Sequence, residues 1–195
     1  MSYKSVLFFI ILIIFPLTFE LTAQKPTNSD ASIIYKTVSN FFDWYINAIK
    51  QKKYSEFQPS FVESKSGMTT LNFTEYFTIL AKNGFSDPLI IKEKASYQRC
   101  IVNLENIRYI DFKTKFTDLD DFERMGCDFT NYYRWIGGQE PIDGIRIKSF
   151  QFNGSDSVTV LIDNYNIGEG VNYYWGNKVV TLIKIADNWK INSID

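Results

Sequence analysis

The chain of 195 residues carries 21 Lys and Arg against 22 Asp and Glu, a formal net charge of −1, and no histidine. Such a balance argues against nucleic acid and against an anionic membrane surface, since both demand a basic patch. Without an imidazole, Ser-His-Asp and Cys-His nucleophilic catalysis and histidine-ligated metals are excluded.

Residues 1–23 read as a secretory signal. Lys4 supplies the positive start, the twelve residues from Val6 to Leu17 are apolar, and Leu21-Thr22-Ala23 precedes a cut before Gln24. That apolar run is too short for a bilayer span, which needs ~20 residues. No cysteine adjoins the cut, so a lipoprotein anchor has no attachment point. The processed chain is expected to be extracytoplasmic (periplasmic or secreted) and soluble, with no membrane span. Residues 24–29 form a polar tether, and residues 30–195 suit one domain with a sizeable core.

From residue 30 to 50, Ile34, Val38, Phe41, Phe42, Tyr45, Ile46 and Ile49 recur at steps of three and four, which predicts a long amphipathic helix. Asn28 or Ser29 can cap it, and Lys50, Lys52 and Lys53 suit the negative end of its dipole. A second helix is expected from Asn72, the cap, with Glu75 three residues on, Tyr76, Phe77 and Leu80 inward, and Gly84 as the stop. A third runs from Ser86 or Asp87, with Pro88 in its first turn and Ile90, Tyr97, Ile101 and Leu104 on one face. A short strand is expected over 108–112. A short acidic helix capped by Thr117 follows.

After Gly138 the hydrophobic period changes to two. Four strands are predicted, over 145–152, 157–165, 171–185 and 188–194, joined by turn signals, with a bulge at Gly176-Asn177. In the last hairpin, Val179, Thr181, Ile183 and Ile185 are placed on the core side. A three-residue loop over 186–188, with Asn188 left-handed, then sets Ile185 against Trp189, Ile183 against Ile191 and Lys184 against Lys190. Helices first and a meander after predict an α+β domain, its N-terminal helices packed on a curved antiparallel sheet.

The ending V-x-L-x-K … W-K-I-x-x-I (Val180, Leu182, Lys184, Trp189, Lys190, Ile191, Ile194), behind a long aromatic first helix, resembles the nuclear-transport-factor-two-like superfamily. Residues 41–64 and 129–152 look most like a branch of secreted bacterial domains of unknown function, and the likeness covers most of residues 30–195. It implies a cone-like, cystatin-related fold with a cavity between the first helix and the inner sheet face. It implies no activity, because such folds host enzymes, binders and assembly modules alike.

Three chemistries remain open. The acidic run Asp118, Asp120, Asp121, Glu123 misses the EF-hand spacing, since Phe122 stands where an oxygen ligand belongs, and it reads as the first turn of a helix. No metal or other cofactor is therefore expected. Some enzymes of the superfamily use one cavity acid beside tyrosines. Here Asp43 or Asp128 could be the base and Tyr45 or Tyr133 the donor, although Asp43 lies beside the aromatic stripe rather than within it. Finally, the clusters 132–135 and 173–175, with Tyr133, Trp135 and Trp175, could offer stacking faces or fill the core. Adjacent aromatics in a strand point to opposite faces.

Cys100 and Cys127 are expected to form a disulfide closing a loop of about 28 residues; two separate buried thiols are the alternative. The expected function is a non-catalytic binding or interaction module for a protein partner or a small apolar ligand, with a homodimer through the sheet face as a further partner. The alternatives are an isomerase- or dehydratase-like enzyme with a cavity carboxylate, and carbohydrate binding through exposed aromatics.

Overall fold

Helix α1 (Asn28–Lys50) lies across the inner face of a four-stranded sheet and is the rod around which the domain packs. Its predicted stripe from Ile34 to Ile49 is buried, each member 5 % exposed or less. The computed structural model describes residues 28–130 and 132–195; the signal segment and residues 24–27 of the tether lie outside them. Residues 28 and 29 belong to α1 rather than to the tether.

The helical layer follows. After α2 (Tyr54–Phe57) comes a small hairpin, β1 (Ser60–Glu63) with β2 (Thr69–Asn72). Its local sequence does not announce it, because a distant group holds it: the Ile107 carbonyl accepts both the Thr69 backbone N–H and the Thr69 hydroxyl. Asn72 thus ends a strand, yet its side-chain oxygen still accepts the Thr74 N–H at 2.9 Å, at the start of α3 (Thr74–Lys82).

The expected third helix is two, α4 (Asp87–Ser96) and α5 (Gln98–Leu104), broken at Tyr97. Ser86 caps α4 and Pro88 sits in its first turn. At its end the Ser96 hydroxyl donates to the Glu93 carbonyl, in competition with the helical ladder. The buried face is Leu89, Glu93, Tyr97, Cys100 and Leu104, with Ile90 and Ile101 at its margin.

The predicted strand over 108–112 is instead α6 (Tyr109–Lys115). Phe112 and Phe116 stack at helical spacing, and Asp111 pairs with Arg108 and Lys115 on the solvent side. A short apolar run cannot separate the two periods by itself. Helix α7 (Leu119–Arg124) is capped by Asp118, not Thr117, through a bond from the Asp120 N–H.

The sheet is an antiparallel meander in the order β3 (Gly144–Phe152), β4 (Ser157–Gly168), β5 (Val171–Ile185), β6 (Asn188–Ile194). Its inner face carries Val158, Val160 and Ile162 of β4, Val180 and Leu182 of β5, and Trp189 and Ile191 of β6, all buried against the helices. The predicted bulge is present. Asp163 pairs with Asn177 and Asn164 with Trp175, which leaves Gly176 as the extra residue at φ +62°.

The last hairpin departs from expectation. Its loop is Ala186-Asp187, both at positive φ, so Ile185 faces Asn188, Lys184 faces Trp189 and Ile183 faces Lys190. Val180 and Leu182 are the core residues, and Val179 and Ile185 are exposed. Lys184 reaches the inner rim, where Asp30 accepts from its ammonium at 3.1 Å and from Trp189 Nε1 at 2.8 Å. A second bulge lets Thr181 pair with Ser193 while Leu182 pairs with Ile191.

Cys100 and Cys127 form a disulfide with Cα atoms 4.9 Å apart, both fully buried. It fastens the segment after α7 to α5.

Candidate functional site

Two places concentrate chemistry-bearing side chains. The first is interior. Glu93 has no exposed surface, because the 89-93-97-100-104 stripe turns it inward beside α3 and the 132–135 segment. One carboxylate oxygen accepts from the hydroxyls of Tyr97 (2.9 Å) and Tyr76 (3.1 Å), and the other from Arg134 Nε. Trp135 Nε1 donates to the Tyr76 hydroxyl at 3.2 Å, which completes the chain of bonds. Burial holds the Glu93 carboxyl above the usual carboxylate range, opposed by the Arg134 charge and the tyrosine hydrogen bonds. Burial likewise pushes the Tyr76 and Tyr97 hydroxyls well up.

Arg134 and Tyr97 also wall a cleft of about 130 Å³, with Ser96, Asp128, Phe129 and Tyr132. Glu93 itself does not line it. A general base must present a free lone pair to the substrate's space. Glu93 is fully buried, opens onto no cleft among the described residues and accepts three hydrogen bonds from its neighbours, so the network works as a buried structural clamp between α3, α4 and the 132–135 segment.

The second place is the far end of the β4–β5 hairpin. Ile167 and Val171 (both 56 % exposed), Tyr173 (55 %), Tyr174 (43 %) and Trp175 (41 %) stand out there. Cross-strand partners share a face, so Trp175 and Tyr173, opposite Asn164 and Asn166, look to the inner side, and Tyr174, opposite Tyr165, to the outer. The rings are held in place. Asn166 accepts from Trp175 Nε1 at 2.7 Å, and Arg146 lies 3.7 Å over the Tyr174 ring. Arg146 also bonds Asp163 at 2.6 Å and thereby holds that carboxyl below its ordinary range.

The residues singled out from sequence separate accordingly. Asp43 is exposed on the outer side of α1, away from the aromatic stripe, and cannot serve as a base in a cavity. Asp128 lines the cleft. Tyr45 and Trp135 meet in the core, 1 % and 2 % exposed, where the Tyr45 hydroxyl hydrogen-bonds the Trp135 backbone and burial raises its pKa. Tyr133 is half-buried beside them, packed edge-on to Phe57. Trp175 lies on the hairpin. The cavity implied between α1 and the sheet is occupied by rings: Phe41, Phe85 and Trp135 pack within 4.8–6.4 Å of one another.

Sequence reasoning passed over Glu93, Arg134 and Tyr76 as a group. The available signal was a glutamate within an apolar helical stripe; nothing local marks its arginine, 41 residues on. No family model matches the chain, and neither the curated proteins nor the solved structures compared with it contain a match.

Proposed function

We propose that this chain is a secreted or periplasmic interaction module without catalytic activity, and that the aromatic end of the β4–β5 hairpin is its contact surface. The observation that carries the reading is the set of large apolar side chains, each 41–56 % exposed, on one projecting ribbon. Contiguous exposed apolar surface marks interaction sites on soluble proteins, and Tyr and Trp are the side chains that contribute most at contacts. A protein partner fits better than a small apolar ligand, because the rings stand on both faces of a ribbon and enclose no pocket.

Two further features favour a binder over the isomerase-like alternative. The space beneath α1 is filled by rings, and the buried carboxyl of Glu93 is engaged by three donors and opens onto no cleft among the described residues. The disulfide accords with an oxidising compartment, and among the described residues no helix is long and apolar enough to cross a membrane. Secretion itself rests on the signal-like residues 1–23. Membership of the nuclear-transport-factor-two-like superfamily belongs to this proposal too, supported by the long aromatic helix on a bent antiparallel meander.

The test compares the purified chain with a Tyr173→Ser/Trp175→Ser variant, using pull-down from its own cell envelope and mass spectrometry. A partner retained by the wild type and lost by the variant, with unchanged circular dichroism, is the expected result. Equal retention by both removes the hairpin as the contact surface. Wild-type binding on a glycan array, lost in the same variant, moves the reading to carbohydrate. Turnover of an isomerase or dehydratase substrate that Glu93→Gln abolishes in a folded protein would replace the non-catalytic reading.

A further inference from the structure

Among the described residues, the edges of the meander differ in how they are defended. The free edge of β3 carries Arg146 and a bulge at Lys148, both devices that discourage strand addition. The far edge of β6 is covered, since the Ile191 N–H donates to the Gly84 carbonyl at 2.7 Å and the Ser86 N–H to the Ile191 carbonyl at 2.8 Å. On β5, β6 pairs only from Ile185 to Val180, and Asp195 exchanges two 3.0 Å bonds with Val179. From Lys178 back to Val171, no backbone hydrogen bond reaches this edge among the described residues. Residues 171–177 are all exposed and contain neither a charge nor a proline. Unpaired N–H and C=O groups in a row are matched by another extended strand and by little else.

From this edge we infer that the chain self-associates, two copies joining antiparallel along the stretch of β5 centred on Tyr173, Tyr174 and Trp175 to make one continuous eight-stranded sheet. The inference rests on the hairpin being the contact surface and names its partner as a second copy. Side-chain pairing selects that partner. Opposed residues must share a face, and only registers with a two-fold axis through a residue satisfy this on an identical strand. With the axis at Tyr174, Tyr174 on the outer face meets Tyr174 of the partner subunit. Tyr173 on the inner face meets Trp175 of the partner subunit, and the reciprocal pair forms on the other side. All three exposed rings of each copy then lie in aromatic cross-strand pairs, a favoured combination. Moving the axis to Tyr173 or Trp175 leaves one ring paired with itself and opposes the other two with Val171 and Asn172, or with Gly176 and Asn177, instead. Each ring has about half of a ~200 Å² surface left to bury, so the contact falls below the ~1,200 Å² of a standard stable complex and dissociates on dilution.

Sedimentation velocity over a wide concentration range tests this. The wild type is expected to pass from dimer to monomer on dilution, and Tyr174→Lys, which sets like charges face to face at the axis, to remain monomeric throughout. Under mild oxidation Tyr174→Cys should give a cross-linked dimer on a non-reducing gel, and Asn172→Cys, which faces Gly176 of the partner subunit, should not. Unchanged far-ultraviolet circular dichroism secures the fold of each variant. A wild type monomeric at every concentration overturns the inference, as does a dimer indifferent to Tyr174→Lys or one cross-linked equally at both cysteines. A monomer whose envelope partner is still lost with Tyr173→Ser/Trp175→Ser ends the self-pairing and leaves the interaction reading standing.

Discussion

Glu93 is the most consequential single residue in the interior. Removing its carboxyl by Glu93→Ala leaves the buried hydroxyls of Tyr76 and Tyr97 without their acceptor, while the Arg134 side chain, 42 % exposed, keeps contact with water. A buried hydroxyl left unpaired costs about 1–3 kcal/mol. Titration distinguishes the acid from its amide. Burial holds the folded-state pKa above its unfolded value, so the stability it contributes is complete below the unfolded carboxylate pKa and is lost as pH rises through the folded one. Glutamine does not titrate, so the stability advantage of wild type over Glu93→Gln should shrink as pH is raised from about 4. Urea denaturation at several pH values checks this; an advantage that widens instead contradicts the assigned environment. Asp163 and Asp143 run the other way. Their hydrogen bonds to Arg146 and Lys50 lower their pKa values, and their contributions are lost as pH falls through the folded values. Of this, the sequence shows Glu93 in an apolar stripe and Asp43 beside one. It does not show Arg134 as the partner, because ion pairing across 41 residues is decided by packing.

At the level of elements, the β5–β6 turn shows how a local signal misleads. Asn188 tolerates a left-handed backbone and draws a sequence-based turn one residue too far along. In the structure Ala186 (φ +46°) and Asp187 (φ +65°) take the left-handed positions. Left-handed backbone costs an ordinary residue about 1–2 kcal/mol, and Asn-Gly is the preferred pair for such a two-residue loop. Ala186→Asn/Asp187→Gly should therefore stabilise the protein by about 1 kcal/mol, part of the relief being offset by the greater freedom of glycine when unfolded. The expected reading is a rise of a few degrees in Tm. No rise, or a fall, would show that the turn is not held as described. Gly176 is the converse case, legible from sequence as a bulge. Its φ of +62° means that Gly176→Ala should cost about 1 kcal/mol and loosen the aromatic end of β5.

Across the whole molecule, the Cys100–Cys127 bond joins the least regular part of the chain to the helical layer. It links residues 27 apart, for which loop-closure entropy gives about 3–4 kcal/mol, a large share of a typical total of about 5–15 kcal/mol. Denatured, non-reduced protein should show no free thiols, and reduction should lower the unfolding midpoint appreciably. Both sulfurs are fully buried, so Cys100→Ser/Cys127→Ser should be less stable than Cys100→Ala/Cys127→Ala, whose side chains bring no hydroxyl into the core. Equal midpoints for the two double variants would place the cysteines nearer solvent.

What the sequence determined alone is what depends on short range: the α1 stripe, the switch to period two after Gly138, the number and order of the last four strands, the Gly176 bulge and the absence of imidazole chemistry. These follow from spacing along one element, which the chain carries in its own order. Tertiary structure decided the rest. Ile107 held the β1–β2 hairpin in place. Val180 and Leu182, not Val179 and Thr181, are the buried side of β5 against the core, and a bulge in β6 reset the parity that the hairpin pattern assumed. The Glu93 clamp and the open edge of β5 arise only where distant segments meet, or fail to meet, and no local pattern records either.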